Sequence, residues 1–275
     1  MTEPPPPTSH ALSFGTVADA YDRARPGYPP EAARWLAGTT PARVLELGAG
    51  TGRLTADLVA LGHDVLATDP LDEMLRHLTA RLPDVRVVRA VAERIPLPSR
   101  AADLVVSAQA FHWFDLDHAL PEIARVLRPG GELALVWNER DERIPWVKRL
   151  GDLIGNRQQD TDPTHDLIRS ALFGYVETAS FRFWQPLDRP RLHDLIRSRS
   201  NIAMMTETER HRVLAQADTL YEEYGRGADG MLLPYRTHCF KAVVRPQPQP
   251  EPAPRRTITP PPGDDDTDAL LIDFQ

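Results

Sequence analysis

Three glycines at alternate positions, Gly48, Gly50 and Gly52, set the strongest constraint on how this chain can fold. They follow the short apolar run 43–47, which is typical of a buried parallel strand. They precede the segment 51–61, whose leucines recur at helical spacing. Glycine lets the backbone turn tightly and lets another group approach where a Cβ would collide. One or two glycines would indicate an ordinary turn, whereas three between a strand and a helix predict a loop that receives a ligand.

The chain on either side of this loop alternates between strand and helix patterns. Strands are predicted at 65–68, 85–88, 104–107 and 133–137, with helices between them around 71–82 and 120–127. Repeated strand–helix–strand units predict an α/β fold with a mostly parallel sheet and helices on both faces.

Beyond residue 140 the periodicity is weaker. Helices are predicted near 145–156, 190–200 and 207–224, and strands near 178–184 and 237–244. The β-branched and aromatic residues from Arg236 to Val244 favour a strand at the edge of the sheet.

Both ends of the chain differ in composition from its middle. Residues 1–11 are rich in proline and polar residues, and residues 246–275 combine prolines with an acidic run. We expect both segments to be disordered tails, because they contain too few apolar residues to form a core. The folded domain is therefore placed at 12–245. The apolar end of the second tail, 269–274, suggests a docking motif for a partner, but a solvated tail is the favoured interpretation.

The composition excludes several kinds of protein. A net charge of −7 over 275 residues argues against a nucleic-acid-binding surface built on general basicity. Cys239 is the only cysteine, so neither an internal disulfide nor a cysteine metal cluster is possible, and no histidine spacing predicts a metal site. The sequence has no run of about 20 apolar residues, and its start does not resemble a signal peptide. We expect a cytoplasmic protein that contacts neither nucleic acid nor membrane.

The glycine loop does not match the two common phosphate-binding motifs. A dinucleotide loop needs a small residue at position 53 for close helix–strand packing, and this chain has Arg53. The loop also lacks the Gly-Lys-Ser/Thr ending of a P-loop. A binder of nicotinamide dinucleotide is therefore a weaker alternative.

The run from Glu46 to Gly52 reads E-x-G-x-G-x-G and resembles the loop of class I S-adenosylmethionine (SAM)-dependent methyltransferases. Asp69 and Pro70 at the end of the second strand extend the resemblance, as does the Ala-Glu pair at 92–93. The segments 107–115 and 128–131 are similar to small-molecule methyltransferases of the trans-aconitate and ubiquinone/menaquinone type. The resemblance implies a Rossmann-like fold with a seven-stranded sheet that includes one antiparallel edge strand.

The resemblance also implies a set of SAM-binding residues. A carboxylate at position 69 can accept hydrogen bonds from both ribose hydroxyls, although it can also cap the next helix. Met74 suits adenine contact or the core equally well. The family's Asp or Thr before Ala92 is replaced by Val91, so Ala92 and Glu93 remain as candidates near the adenine. The cofactor set is Tyr21, Arg25, Glu46, Gly48, Ala49, Gly50, Gly52, Asp69, Pro70, Met74, Ala92, Glu93 and Gln109.

His112 and Trp113 follow the fourth strand, where the resemblance places the methyl acceptor. Ligands in open α/β sheets bind at the carboxyl ends of the strands. The near-neutral pKa typical of histidine suits a general base, although a lone histidine beside aromatic residues is more often structural. Trp113 is expected to shape the acceptor pocket.

The resemblance implies transfer of a methyl group from SAM to a small molecule by in-line displacement. Oxygen is the favoured atom for methylation. Residues 12–140 would hold the cofactor, and residues 141–245 would cap the acceptor. Two alternatives stay open: a catalytically silent SAM-binding or partner-binding protein, and the NAD-dependent oxidoreductase. Fold alone does not decide among them.

Overall fold

The computed structural model describes residues 26–155, 162–197, 199–225 and 230–246. The tails expected at 1–11 and 246–275 lie outside the described residues, apart from Pro246, and so do the candidate residues Tyr21 and Arg25.

The described residues form one sheet and the helices that pack on it. The strands are β1 (Arg43–Leu47), β2 (Asp64–Asp69), β3 (Arg86–Arg89), β4 (Ala102–Ala108), β5 (Leu127–Arg140), β6 (Phe173–Leu187) and β7 (Met231–Val244). The helices are α1 (Pro30–Ala37), α2 (Arg53–Ala60), α3 (Asp72–Arg81), α4 (Leu116–Val126), α5 (Pro145–Leu153), α6 (Thr164–Ser170), α7 (Arg189–Arg197), α8 (Ser200–Ala203) and α9 (Glu207–Tyr224). A single 3₁₀ turn, Phe111–Trp113, follows β4.

The sheet has the order β3-β2-β1-β4-β5-β7-β6. The strands β1 to β5 pair in parallel, and β7 pairs antiparallel with both of its neighbours. The prediction of a mostly parallel seven-stranded α/β sheet is therefore confirmed. The predicted edge position of 236–244 is wrong, because β7 lies between β5 and β6. Its side chains are buried along most of its length, as an internal strand requires, while the half-exposed β6 forms the edge.

Alternate residues of each central strand bury against helices on opposite faces of the sheet. On one face, Leu45, Leu133 and Leu135 join the core that α4 and α6 cover. On the other face, Val44, Val106 and Val136 pack with α1 and α2. The helices thus lie on both faces, as the strand–helix alternation predicted.

A further hydrophobic core lies at the side of the sheet where the parallel strands end. It joins apolar residues of α5, α7, α8 and α9 to Leu187 at the end of β6 and to Met231 and Leu233 at the start of β7. Because β7 runs antiparallel, its start lies at the edge where the parallel strands end. We call these four helices the helical cap. None of the helices described is both long and apolar enough to cross a membrane.

Candidate functional site

The glycine loop after β1 is held by close contacts on two of its three glycines. Gly48, Gly50 and Gly52 all have φ between +57° and +80°, which other residues rarely adopt. A Cβ on Gly48 would lie 2.4 Å from the Cβ of Ala110, and one on Gly52 would lie 2.8 Å from Cγ of Leu78. A Cβ on Gly50 would meet nothing within 4 Å. Gly50 is therefore the glycine of the loop that a ligand can approach.

Ala49 fixes the loop to the neighbouring strand. Its backbone N–H donates to the carbonyl of Thr68 at 2.9 Å, and its side chain is buried. This bond holds the loop against the end of β2. The loop cannot move away from the carboxyl edge of the sheet, where the parallel strands end, without breaking it.

Asp69 connects the glycine loop to the start of α3. Its Oδ2 accepts the Gly50 N–H and its Oδ1 accepts the Leu71 N–H, both at 2.9 Å. Burial raises the pKa of Asp69, and the two N–H groups offset part of that rise. Each carboxylate oxygen has a second acceptor direction, so the carboxylate can bind a further donor while it holds both backbone groups. The N-cap of α3 is Leu71, without a side-chain cap hydrogen bond, so Asp69 does not cap this helix as the alternative to a ribose contact supposed. It binds the backbone N–H groups on either side of the corner instead.

Glu46 lies in the interior below the glycine loop. Only 1% of it is exposed, and its Oε2 accepts a hydrogen bond from Thr55 Oγ1 at 2.6 Å. Burial raises the pKa of Glu46 to about 8, because the charged form loses its hydration, and the nearby Asp57 and Asp69 add to the rise. The structure therefore places this candidate where it ties β1 to α2.

The candidates after β2 differ in exposure. Met74, in the first turn of α3, is buried with 4% of its surface exposed. Pro70 is half-buried, and its carbonyl accepts a hydrogen bond from Arg89 Nε at 3.1 Å. Both lie within five residues of Asp69 along the chain, so they lie at the same corner of the sheet.

The segment after β3 brings Ala92 and Glu93 beside the end of β4. Ala92 is buried, and Glu93 Oε1 accepts the backbone N–H of Asp115 at 2.8 Å. Asp115 is the N-cap of α4, immediately after the turn that carries His112 and Trp113. Glu93 thus holds the candidate adenine segment against the candidate acceptor segment.

Two residues of α4 that the sequence analysis missed fix the same segment. Glu122 Oε2 accepts the N–H of Ile95 at 3.0 Å, and Arg125 donates to the carbonyls of Ile95 and Leu97. The hydrogen bond from Arg125 lowers the pKa of Glu122. Their spacing of three residues on one helix face was the available signal.

Gln109 follows β4 directly and has a backbone conformation that is unusual for its residue type. Its φ is +58°, in the left-handed region. Its backbone N–H donates to Val136 and its Nε2 donates to the carbonyl of Asn138 at 3.2 Å. Backbone strain of this kind occurs preferentially at functional sites. Here it turns the chain so that Ala110 meets Gly48.

Asn138 is a second residue that the sequence analysis missed. Its Nδ2 donates to the carbonyl of Gly27 at 3.0 Å, and its Oδ1 accepts from Thr237 Oγ1 at 2.7 Å. It therefore joins the chain before α1 to the last part of β5 and the middle of β7. A polar residue at the carboxyl end of an apolar strand was the signal that could have indicated it.

His112 and Trp113 lie on the 3₁₀ turn after β4, and both are exposed. Their ring centroids are 4.7 Å apart. The indole Nε1 of Trp137, at the end of β5, is 3.4 Å from His112 Nδ1 and donates to it. The structure thus brings both candidates to the carboxyl edge, one short turn beyond the residue that contacts Gly48.

The site contains no arrangement typical of a metal centre. In the part of the chain that the structure describes, no three His, Cys, Asp or Glu side chains are grouped so that they could hold a metal ion.

Comparison with known proteins identifies the family. The model of the methyltransferase domain matches residues 45–135. An uncharacterized methyltransferase of Mycobacterium tuberculosis (strain H37Rv) is 44% identical over 237 residues, which cover 85% of this chain and 96% of that protein. The malonyl-[acyl-carrier protein] O-methyltransferase of Methylococcus capsulatus is 40% identical over 134 residues, or 45% of this chain and 49% of that protein.

A solved structure shares the fold. It is a candidate type II methyltransferase from Anaeromyxobacter dehalogenans, with a TM-score of 0.56 and 25% identity over 80% of this chain and 97% of that one. The mycobacterial relative is similar over nearly its whole length, and the sheet order and glycine loop agree with the family's fold. The chain therefore belongs to the class I SAM-dependent methyltransferases.

Proposed function

We propose that this chain binds SAM at the carboxyl edge of its sheet and transfers the methyl group to an oxygen atom of a small-molecule acceptor. One observation carries the proposal: Gly50 faces open space while its N–H is held by Asp69. A ligand can therefore reach the loop backbone and the Asp69 carboxylate at one place.

The described residues fit an adenosyl group. The open space at Gly50 is the volume that a Cβ would fill, and Asp69 has acceptor directions left for the two ribose hydroxyls. Buried Met74 and Ala92 lie on the segments that follow β2 and β3, where an adenine ring would find apolar contacts. The family resemblance leads us to propose further that Tyr21 and Arg25 contact the methionine end of SAM, with Arg25 pairing its carboxylate.

The acceptor would bind between the 3₁₀ turn and the helical cap. His112 and Trp113 are exposed on that turn, and the cap is built on the ends of β6 and β7 at the same edge. Transfer to oxygen is favoured because the related protein of Methylococcus capsulatus is an O-methyltransferase. A malonyl group ends in a carboxylate, so we infer an acceptor of the same chemical kind.

Bound SAM would supply a methyl group on a positively charged sulfur, and the displaced C–S electron pair would stay on that sulfur. The residues of this chain would hold the acceptor oxygen in line with that methyl group and exclude water. Proximity and alignment alone can lower a barrier by about 7–11 kcal/mol. A carboxylate acceptor already carries the negative charge that the new O–C bond needs.

Calorimetric titration with SAM tests the cofactor part of this proposal. We expect the wild-type protein to bind SAM, and Asp69→Asn to bind it at least tenfold more weakly, because loss of a charged acceptor costs about 1.5 kcal/mol or more. The matched control is Asp64→Asn at the opposite end of β2, where an exposed carboxylate pairs with Arg86. This variant should bind as the wild type does. NADH, which the alternative oxidoreductase requires, should not bind.

A glycine pair tests the position of the ligand. Gly50→Ala places a Cβ in the proposed ligand space and should abolish binding. Gly62→Ala imposes a comparable left-handed strain, at φ +88°, and also enters open space, but at the turn after α2. It should lower stability without changing affinity. Failure of the wild type to bind SAM, or equal binding by Asp69→Asn and Asp64→Asn, would refute the site.

A further inference from the structure

The indole of Trp137 has a fixed orientation in the core. It is 2% exposed, and it packs edge-on against Phe111 at 6.3 Å and Phe240 at 5.7 Å between ring centroids. Its Nε1–H points to Nδ1 of His112 at 3.4 Å. In the described part of the chain, Nδ1 of His112 accepts the hydrogen bond of the buried indole N–H.

This hydrogen bond determines where the proton of His112 lies. An indole nitrogen can only donate, so Nδ1 of His112 must accept and therefore carries no proton. The neutral imidazole must then carry its proton on Nε2. The alternative tautomer would set two N–H groups against each other and leave the buried indole without an acceptor.

The placement of this proton bears on the expected general-base role. A base at Nε2 needs a lone pair there, and this tautomer has an N–H instead. A base at Nδ1 would have to give up the bond from Trp137. His112 is thus set up to donate a hydrogen bond, and the geometry weighs against proton abstraction.

We propose that Trp137 is a positioning residue that holds His112 as its Nε2–H tautomer, so that His112 donates to a carboxylate oxygen of the methyl acceptor. This inference rests on the proposed function for the identity of the acceptor. It suits the carboxylate acceptor already proposed, from which no proton has to be removed. In the transfer, the lone pair of one carboxylate oxygen would form the new O–C bond while the C–S electron pair stayed on sulfur. The other oxygen would keep the hydrogen bond from His112.

The first experiment measures the tautomer directly. Long-range ¹H–¹⁵N spectra of the full-length protein distinguish protonated from unprotonated ring nitrogens, and His112→Gln assigns the signals by their loss. We expect Nε2 protonated and Nδ1 unprotonated in the wild type. Trp137→Phe keeps an aromatic ring for the contacts with Phe111 and Phe240 but removes the donor, so its His112 signals should shift towards a mixture of tautomers.

Trp184→Phe is the matched control, because Trp184 is 58% exposed on the edge strand and lies away from this contact. Its His112 signals should equal those of the wild type. An unprotonated Nε2 in the wild type, or identical spectra for Trp137→Phe and the wild type, would overturn the assignment. A Trp137→Phe protein that fails to fold is replaced by Trp137→Tyr, which also lacks the indole donor.

The second experiment uses malonate as the carboxylate probe in the protein saturated with S-adenosylhomocysteine. Malonate should shift the Nε2–H signal of His112, and the neutral malonamide should not. No shift with malonate would overturn the donor role. The tautomer is measured without any cofactor, so its failure is distinct from failure of SAM binding. Calorimetry that finds no SAM binding would refute the proposed function but would not affect the tautomer assigned to His112.

Discussion

A Cβ on Gly48 would lie 2.4 Å from the Cβ of Ala110, so the loop after β1 and the turn after β4 touch directly. These two strands are parallel neighbours, and their carboxyl ends lie side by side. The 3₁₀ turn with His112 begins one residue after Ala110. The position of the candidate acceptor residue therefore depends on the absence of a side chain at position 48.

Gly48→Ala should destabilise the protein by about 2–4 kcal/mol, because it combines left-handed strain with overpacking against Ala110. The double variant Gly48→Ala with Ala110→Gly should recover the overpacking part and leave the strain. Urea unfolding of the wild type, both single variants and the double variant forms a double-mutant cycle. Simple additivity of the two single effects would show that the contact does not carry the constraint.

Glu46 makes stability depend on pH. Its folded-state pKa of about 8 lies above the ordinary value of 4.5, so the folded protein holds a proton there that the unfolded chain releases. This contribution to stability is complete below pH 4.5 and is lost as the pH rises through about 8. The loss is at most about 1.4 kcal/mol per pH unit.

Glu46→Gln should flatten this part of the pH profile, because a neutral amide can still accept the hydrogen bond from Thr55. Thermal or urea unfolding at several pH values between 4.5 and 8 measures the slope. The control is Glu177→Gln, which changes an exposed glutamate on the edge strand and should keep the wild-type slope. The same slope in Glu46→Gln and the wild type would mean that Glu46 is not the source.

A comparison of Gln109 with Arg100 tests whether the backbone strain at Gln109 contributes to SAM binding. Both have φ near +60°, but only Gln109 lies at the carboxyl edge of the sheet. Replacement of either residue by glycine relieves the strain, which should contribute about 0.5–1 kcal/mol at each position, less any lost side-chain bond. Only Gln109→Gly should weaken SAM binding, since it also frees the turn that sets Ala110 against Gly48. Equal SAM affinity in both variants would make the strain at Gln109 incidental.

Asn138 should control the protection of the chain before α1. Asn138→Asp keeps an acceptor for Thr237 but sets a carboxylate oxygen against the carbonyl of Gly27. Hydrogen exchange in the peptide that covers residues 27–36 should become faster. Thr237→Val, which removes the other bond of Asn138, should leave that peptide close to wild-type protection. Faster exchange in both variants would point to a general loss of stability.

The sequence patterns predicted the features that depend on residues close together in the chain. The glycine loop and the strands β1 to β5 are each recognisable within about ten residues. The residues that connect these parts were missed because their partners lie far away in the sequence. Asn138 bonds to Gly27 and Thr237, and Trp137 bonds to a histidine 25 residues earlier.

The order of the last strands was also beyond local patterns. The composition of 236–244 predicted a strand correctly and its edge position wrongly, because burial on both faces depends on which strands become neighbours. The role of Glu46 shows the same limit. A glutamate in the glycine motif suggested a ligand contact, and only the packing of α2 reveals the buried bond to Thr55.

The position of β7 between β5 and β6 also determines when the sheet can become complete during synthesis. The strands β1 to β5 leave the ribosome first, and β5 then has an unpaired edge. The strand β6 emerges next, but among the described strands it pairs with β7 alone. Neither edge can therefore close until residues 231–244 have been made. The helical cap shares this delay, since its core includes Met231 and Leu233. The part of the sheet from β1 to β5 can thus form early, whereas β6, β7 and the helical cap are completed in one late, long-range step.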